Sequence, residues 1–393
     1  MKVVFLYHYQ YKSLERDSRV LKVAVSLLKA GHQVKIIYGG RRITKPTSVQ
    51  AYGTTVPCLA AWKVSKPRIW FWSWPFLTLL KKFGLNTLQD LGITHVPAGI
   101  RLHPDVIHAH DFPTLLSGYV LKKKTGAKLI YDSHELASES TFMDNLNKIS
   151  RKNALKIERT LVKHCDEIIT VNDSIARLME ERLNVKDINV IKNFPVLDKD
   201  PNAIKKDIRT KVDLNDKSRI ALYLGGIKKG RGLEALVKAA KKMPEVQFVF
   251  MGFRDPADTL DLNSKNIHVL PHVPPDEVIA WASSADIGLS PIEKRNISYY
   301  YSLPNKVGEY IMAGLPIAVS DFPEMRKIAI EDDLGVTFNP EDPKDIEKSI
   351  RALLQPETYS KKKENVMSKR ALYSWENEEK KLLTIYIHLE VKR

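Results

Sequence analysis

Several features that mark particular classes of protein are scarce in this sequence of 393 residues. The chain has only two cysteines, Cys58 and Cys165, and they share no motif spacing with each other or with a histidine cluster. Neither a zinc site nor a disulfide framework is therefore indicated. No apolar run is long enough to cross a bilayer, and residues 1–7 lack the basic region and cleavage site of a signal peptide. We expect a protein of a reducing compartment such as the cytoplasm.

Acidic residues are outnumbered by basic ones. The formal net charge is +16, and the hydrophobic content of 44% is that of a globular protein with a full core. The positive excess favours nucleotide phosphates, nucleic acid or an anionic membrane surface as partners, with simple solubility as the alternative. No nucleic-acid-binding module is recognisable, so nucleic acid is not an expected partner.

Short apolar runs alternate with amphipathic stretches, which predicts two series of βαβ units with parallel sheets. In the first series, residues 2–7 and 33–38 are predicted strands and residues 17–29 the helix between them. The second series begins at Arg219. Residues 195–217 are rich in Asp, Lys and Pro, and we place a domain boundary in this stretch.

A Gly-rich basic loop and a short helix in the second half are suited to binding phosphate. The loop, residues 225–232, has glycines that let the backbone approach a ligand and Lys and Arg that bind phosphate. It lacks the Walker and dinucleotide-binding spacings, so a flexible basic turn is the alternative. The helix is predicted to begin at Asn305, as its N-cap, and to end at Gly314.

The helix that begins near Asn305 combines two features of a nucleotide-sugar site. Its N-terminus presents free N–H groups and a positive dipole end to a phosphate. Glu309, one turn further on, is placed to accept hydrogen bonds from the hydroxyls of a sugar. On geometry alone, a capped helix with a surface glutamate is the simpler interpretation.

Two histidines directly follow predicted strands in the first half. Ligands of open α/β sheets bind beyond the carboxyl ends of the strands. His134 is the better-placed candidate, after a strand at residues 128–131. For His110, after residues 105–109, we favour a loop hydrogen bond.

Four of the six tryptophans lie within residues 59–84, among lysines and arginines. Aromatic rings with basic neighbours are typical of a membrane interface. A helix that packs its aromatic face on the domain is an equally good interpretation. The candidates for membrane contact are Trp70, Trp72, Trp74, Lys81 and Lys82.

Nearly the whole chain resembles the GT-B glycosyltransferases, specifically glycosyltransferase family 4. The most specific matches are Tyr-Leu-Gly-Gly-x4-Arg-Gly-Leu-Glu-Ala-Leu at residues 223–236 and Ser-Leu-Pro-Asn-Lys-Val-Gly-Glu-Tyr-Ile-Met-Ala-Gly-Leu-Pro at residues 302–316. Weaker matches are Asp105-Val-Ile-His-Ala-His-Asp111, Tyr131-Asp-Ser-His-Glu135, Thr170-Val-Asn-Asp173 and Ser374-Trp-Glu.

The resemblance implies an α/β architecture of two Rossmann-like βαβ domains that face a central cleft. The acceptor-side domain would span residues 1–195, and the nucleotide-sugar-binding domain residues 196–375. A C-terminal helix of about residues 376–393 would cross back to the first domain.

The resemblance also implies a retaining, hexosyltransferase-type enzyme. It would move a sugar from a nucleotide-sugar donor to a glycan or lipid-linked acceptor, in the synthesis of cell-surface polysaccharide or glycolipid. Relatives usually need no metal, and no convincing Asp-x-Asp motif is present, so we expect neither a metal nor another cofactor. We expect the protein in the cytoplasm, with an anionic membrane surface at the inner face of the cell membrane as a further partner.

Residue roles follow from the same resemblance. His134 matches the active-site histidine near the transferred sugar, and Arg231 stands where the family has a lysine facing the diphosphate, so these two are the predicted catalytic residues. Glu309 matches the glutamate that binds the donor ribose. The remaining predicted donor-binding residues are Gly225, Gly226, Lys229, Asn305 and Lys306.

Two positions depart from the family pattern. Tyr301 stands where the first glutamate of a Glu-x7-Glu motif normally contacts the donor sugar. Gly226 replaces a phosphate-facing arginine, whose charge Lys228, Lys229 or Lys306 could supply. These two departures support one alternative, a non-catalytic, membrane-associated assembly protein of the same fold. A non-hydrolysing sugar-nucleotide epimerase, which also has two such domains, is the other alternative.

Overall fold

The computed structural model describes residues 1–9, 14–40, 47–61, 93–139, 148–197 and 206–391. The chain divides into two compact units, Met1–Lys192 with Glu378–Arg393, and Asn193–Asn377. Within the described ranges, no helix combines the length and apolar character needed to cross a membrane. The candidates for membrane contact, Trp70, Trp72, Trp74, Lys81 and Lys82, lie outside these ranges.

The first unit is organised around an eight-stranded sheet with the order β3-β4-β2-β1-β5-β6-β7-β8. All neighbouring strands are parallel except the antiparallel pair β3 and β4. The strands are β1 Lys2–Tyr9, β2 Gln33–Gly40, β3 Ser48–Ala51, β4 Thr54–Ala60, β5 Val106–His110, β6 Lys128–Ser133, β7 Glu167–Thr170 and β8 Asn189–Val190.

Helices connect these strands, as a parallel sheet requires. They are α1 Ser18–Lys29, α2 Val96–Leu102, α3 Phe112–Thr125, α4 Lys148–Leu161 and α5 Asp173–Leu183. Side-chain caps fix two of their starts: Asp17 accepts a hydrogen bond from the Val20 N–H at 3.3 Å, and Asn172 accepts one from the Ile175 N–H at 2.8 Å.

The second unit contains a six-stranded, fully parallel sheet with the order β11-β10-β9-β12-β13-β14. Apolar clusters are buried on its two faces. The strands are β9 Arg219–Leu224, β10 Val246–Met251, β11 Ile267–Leu270, β12 Ile287–Ser290, β13 Ile317–Ser320 and β14 Gly335–Phe338. The helices are α6 Ile208–Lys211, α7 Leu233–Ala240, α8 Val278–Ala282, α9 Ile297–Tyr300, α10 Asn305–Met312, α11 Pro323–Arg326, α12 Pro343–Leu353 and α13 Pro356–Lys369.

The helical pattern over residues 361–389 predicts one helix, and this prediction is wrong. The chain leaves α13 through a 3-10 turn, Arg370–Tyr373, and Ser374 is extended before helix α14, Trp375–Val391. Two hydrogen bonds within the second unit stabilise the chain at this break between the helices. The Tyr373 hydroxyl donates to the Asp332 carboxylate, and the Trp375 N–H donates to the Pro195 carbonyl at 2.7 Å. The part of α14 from Glu378 onwards belongs to the first unit.

Candidate functional site

The carboxyl ends of β5 and β6 bring His110 and His134 into contact in the first unit. The His110 Nδ1 lies 3.1 Å from the His134 Nε2. The His134 Nδ1 lies 3.2 Å from the Asp111 Oδ2, and the His134 backbone N–H donates to the Asp111 Oδ1 at 2.9 Å. His110 is the fully buried last residue of β5, and its hydrogen bond is to His134 in the loop that follows β6.

Asp132, on β6 opposite His110, is the centre of this cluster. Its Oδ2 lies 3.4 Å from the His108 Nε2, 3.5 Å from the His110 Nδ1 and 3.7 Å from the His134 Nε2. The Arg19 guanidinium of α1 donates to Oδ1 at 2.7 Å and to Oδ2 at 3.1 Å. Burial opposes ionisation of Asp132, but the positive charges of Arg19 and His134 hold its pKa well below the usual range.

His110 and His134 differ in charge at neutral pH: His110 is neutral and His134 is a cation. Burial lowers the pKa of His110 to about 3, and the neighbouring His108 acts in the same direction. Burial also disfavours the imidazolium of His134, but the carboxylates of Asp111 and Asp132 outweigh it and raise the pKa to about 9. His134 is therefore a cation that donates from both ring nitrogens, to Asp111 and to the unprotonated Nδ1 of His110.

Donor atoms of His108, His110 and Asp132 lie within 4.8 Å of one another, a spacing that a metal ion can bridge. The Asp132 carboxylate, however, already forms the bidentate pair with Arg19, and the His108 Nδ1 lies 2.8 Å from the Tyr386 hydroxyl. We therefore assign these residues to a hydrogen-bonded charge cluster.

In the second unit, three glycines of the loop after β9 have a positive φ, and Gly225 and Gly232 are the two nearest its ends. Gly225 has a φ of +126°, and Gly232, directly before α7, has a φ of +72°. A Cβ atom on Gly232 would lie 1.4 Å from the Pro291 carbonyl oxygen. The backbone at Gly225 is exposed and open to a ligand.

Lys306 brings a cation to this loop from the first turn of α10. Its Nζ lies 3.7 Å from the centroid of the Tyr223 ring and would lie 3.3 Å from a Cβ atom on Gly225. Burial lowers the pKa of Lys306 to about 7, and the positive charge of Arg231 acts in the same direction, whereas Glu309 opposes it. Five residues predicted from sequence to bind the donor are thus grouped together: Gly225, Gly226, Arg231, Lys306 and Glu309.

Tyr310 fixes the position of α10, and sequence analysis did not single it out. Its hydroxyl accepts a hydrogen bond from the Leu224 N–H at 2.7 Å and donates to the Leu289 carbonyl at 3.0 Å. Its ring occupies space that a Cβ atom on Gly288 would enter, at 2.1 Å. Tyr310 thereby ties α10 to β9 and β12, which sets where Lys306 and Glu309 lie.

The prediction that Asn305 caps α10 is wrong. Pro304 occupies the N-cap position without a side-chain hydrogen bond, and Asn305 is the first helical residue. The Asn305 Oδ1 instead accepts a hydrogen bond from the Asn193 Nδ2 at 3.1 Å. The predicted end of the helix agrees with Gly314, which has a φ of +78°.

Lys229 and Tyr301 have different surroundings from the grouped residues. Lys229 is exposed and lines, with Lys228 and part of α7, a cavity of about 740 Å³. Tyr301 is half-buried at the end of α9, with its ring 4.9 Å from that of Tyr300.

Two helix-covered, largely parallel sheets in separate units define the GT-B class of fold. Residues 18–198 match the family model for Glycosyltransferase Family 4, and residues 204–372 match that for Glycosyl transferases group 1. Together the two matches extend over most of the chain. The chain belongs to the GT-B glycosyltransferases of family 4 and group 1, which confirms the family and the fold expected from its motifs.

Curated relatives match part of the chain. A D-inositol 3-phosphate glycosyltransferase from Corynebacterium aurimucosum is 22% identical over 243 residues, covering 55% of this chain and 58% of that protein. One from Nocardiopsis dassonvillei is 23% identical over 146 residues, covering 36% of this chain and 34% of that protein. The chain thus spans 58% and 34% of the length of these two relatives.

Solved structures match over the full length. A sucrose-phosphate synthase from Thermosynechococcus elongatus has a TM-score of 0.73 and 16% identity, with 100% of both chains covered. Alr3699/HepE of Anabaena in complex with UDP has a TM-score of 0.70 and 12% identity, with 99% of this chain and 100% of that chain covered. At these identities the likeness establishes the fold.

Proposed function

We propose that the chain transfers a sugar from a nucleotide-sugar donor to an acceptor hydroxyl. The observation that carries this proposal is the grouping of Arg231, Lys306 and Glu309 around the exposed glycine turn at Gly225. Two cations beside an open backbone suit a diphosphate, and a nearby carboxylate suits ribose hydroxyls. Membership of the glycosyltransferase family supports the same activity.

In the proposed reaction, the second unit binds the donor's diphosphate and stabilises its charge as it departs. Arg231 and Lys306 neutralise the charge that develops when the glycosidic bond breaks. Each well-placed donor of this kind is worth roughly 3–4 kcal/mol of barrier. Glu309 binds the ribose and fixes the donor's orientation.

We propose further that transfer proceeds with retention, without a metal ion, and with a hexosyl donor. The acceptor hydroxyl attacks on the face that the diphosphate leaves, and no carboxylate pair evident in the sequence argues for a covalent two-step route. His134, as a cation, orients the reacting sugar through its N–H groups. The proposed acceptor is a glycan or lipid-linked sugar of cell-surface polysaccharide or glycolipid synthesis.

Turnover with a panel of UDP-, GDP-, ADP- and dTDP-sugars tests the activity, and nucleotide affinity tests the site. We expect Arg231→Ala and Glu309→Ala to weaken nucleotide binding and slow turnover. Arg326→Ala, which removes an exposed cation paired with Asp321 in the same unit, should change neither. Unchanged turnover and affinity in both site variants would contradict the assignment.

Product analysis separates the alternatives that keep the fold. An epimerase would convert the donor with no acceptor present, whereas the proposed enzyme would transfer the sugar only when an acceptor is added. Tyr301, in place of the expected glutamate, and Gly226, in place of the expected arginine, are the observations that favour a non-catalytic protein. Donor hydrolysis or transfer above background would exclude that alternative.

Peripheral contact with the inner, cytoplasmic face of an anionic membrane is a separate proposal. It is motivated by the tryptophans and basic residues of residues 62–82. We expect co-sedimentation with anionic liposomes to fall when Trp70, Trp72 and Trp74 are replaced together by Ser. Undiminished co-sedimentation of this variant would contradict the proposal.

A further inference from the structure

A buried tyrosine of the last helix contacts the cluster that surrounds His134. Tyr386, on α14, is fully buried, and its hydroxyl lies 2.8 Å from the His108 Nδ1. On its other side the ring lies 5.8 Å from the His32 ring. The sequence signalled no role for Tyr386 beyond the apolar face of a helix.

The position of His108 between a hydroxyl and a carboxylate selects one of its two neutral forms. Burial lowers the pKa of His108, so the ring is uncharged and carries one proton. Its Nε2 faces the Asp132 Oδ2 at 3.4 Å. Among the described residues, the His108 Nδ1 is the hydrogen-bond partner of the buried Tyr386 hydroxyl, so the hydroxyl donates to Nδ1 and the ring proton resides on Nε2, which faces the carboxylate.

The same carboxylate oxygen that His108 faces also faces His134. The Asp132 Oδ2 lies 3.7 Å from the His134 Nε2. The titratable and charged groups that face His134 come from three elements: Asp111 and His110 at the end of β5, Asp132 on β6, and Arg19 on α1. A change in how His108 holds Asp132 therefore changes the electrostatic surroundings of His134.

We propose that Tyr386 and His108 are positioning residues for His134. The Tyr386 hydroxyl fixes the proton of His108 on Nε2, and the partial positive charge of this N–H faces the Asp132 Oδ2, which lies beside His134. The inference rests on the proposed function, in which His134 orients the reacting sugar. It gives helix α14, through Tyr386, a role in setting the electrostatic surroundings of His134.

The variant Tyr386→Phe tests the inference because it removes one oxygen atom and keeps the ring. Without the hydroxyl, His108 becomes a weaker donor to Asp132, or its proton moves to Nδ1. Either change leaves Asp132 less neutralised, so the pKa of His134 rises. From the usual worth of a neutral hydrogen bond, we expect a rise of about 0.5 to 1 pH unit.

NMR titration of histidine-labelled protein measures this shift without any need for turnover. The His134 resonance is identified by its absence in the His134→Gln variant. The control is Tyr131→Phe, which deletes another buried hydroxyl, bonded to Glu158 at 2.8 Å. Tyr131 neighbours Asp132 on β6 and so points to the opposite face of the sheet.

A rise in Tyr386→Phe that is absent in Tyr131→Phe supports the inference. A His134 titration that is the same in both variants overturns it. In the active enzyme we expect Tyr386→Phe to lower kcat roughly 3- to 10-fold and to leave the donor KM unchanged, because the donor site lies in the second unit. The titration decides the inference, whereas transferase turnover decides the proposed function, so either can fail alone.

A double-variant comparison adds a second criterion. His108→Leu removes the ring's polar contacts with Tyr386 and Asp132, so adding Tyr386→Phe to it should shift the pKa of His134 no further. An additional shift in the double variant, equal to that in the single variant, would show that Tyr386 does not act through His108 and would overturn the inference.

Discussion

Replacing Arg19 by methionine is expected to destabilise the first unit strongly. Arg19 is only 3% exposed, and its guanidinium donates to both oxygens of the buried Asp132 and, at 2.6 Å, to the Ile191 carbonyl. Methionine fills a similar volume but supplies no charge and no donor. The variant therefore leaves Asp132 with no adjacent arginine in a site from which water is excluded.

The magnitude follows from the burial of both partners. Removing one member of a buried ion pair costs about 3–5 kcal/mol, because the other charge is left uncompensated. The lost hydrogen bond to Ile191 is included in that range. In the wild type the pKa of Asp132 is depressed, so its contribution is present above the unfolded value and is lost as the pH falls through the folded one. The deficit of the variant should accordingly shrink in acid.

Amide hydrogen exchange measures the effect where it should occur. Peptides from β5 and β6 should lose about 3–5 kcal/mol of opening free energy, whereas those from β9 and β10 should be unchanged. The reference variant is Arg182→Met, because the side chains of Arg182 and its partner Glu139 are each 27% exposed. This variant should lose less than about 1 kcal/mol of opening free energy.

A second substitution tests whether the charge of Asp132 causes the loss of stability in Arg19→Met. Asp132→Asn removes the stranded charge, so Arg19→Met with Asp132→Asn should recover much of the stability lost in Arg19→Met alone. A loss below about 1 kcal/mol in the single variant, comparable to a surface pair, would refute the account. So would a double variant no more stable than the single one.

Three other outcomes are expected. Because the pKa of His134 is raised to about 9, the contribution of this residue to stability is complete below about pH 6.5 and is lost as the pH rises to about 9. The urea concentration at the midpoint of unfolding should fall over this pH window in the wild type, and should fall less in His134→Gln. Because the pKa of Lys306 is about 7, calorimetry should show UDP binding tightening as the pH falls from about 8 to 6, and Lys306→Met should lose this dependence. Gly232→Ala should lower the melting temperature far more than Gly53→Ala, since Gly53 has a similar φ of +70° but no atom within 4 Å of the added Cβ.

The strands and most helices could be predicted from sequence because their apolar periodicity is local. The strands predicted at residues 2–7 and 33–38 begin at the same residues in the structure, Lys2 and Gln33, and each extends two residues further. The break between α13 and α14 does not follow from periodicity, since the helical pattern continues through it, and only the family resemblance indicated a separate helix from about residue 376. The break is set by contacts of Tyr373 and Trp375 with residues far away in the chain.

For the candidate site, sequence analysis identified residues that stand in motifs and missed residues outside the motifs that contact the His134 cluster. Glu309 and Arg231 stand in long, specific motifs. Arg19 is 113 residues from Asp132, and Tyr386 is 278 residues from His108. In a helix with polar neighbours such an arginine is normally solvated, and a tyrosine on an apolar face is normally core. Only the folded sheet brings Arg19 to the Asp132 carboxylate and Tyr386 to His108, which faces the same carboxylate.

The cluster also decides what kind of chemistry His134 can perform. Two carboxylates, Asp111 and Asp132, face His134, and Arg19 pairs with Asp132, so a neutral His134 would leave an excess negative charge at the end of the sheet. Protonation of His134 balances it, which is why the pKa rises to about 9 despite partial burial. A histidine already protonated at neutral pH cannot accept the proton of an attacking hydroxyl. On this account the contribution of His134 to the proposed transfer is a positive charge with directed N–H groups rather than general-base catalysis.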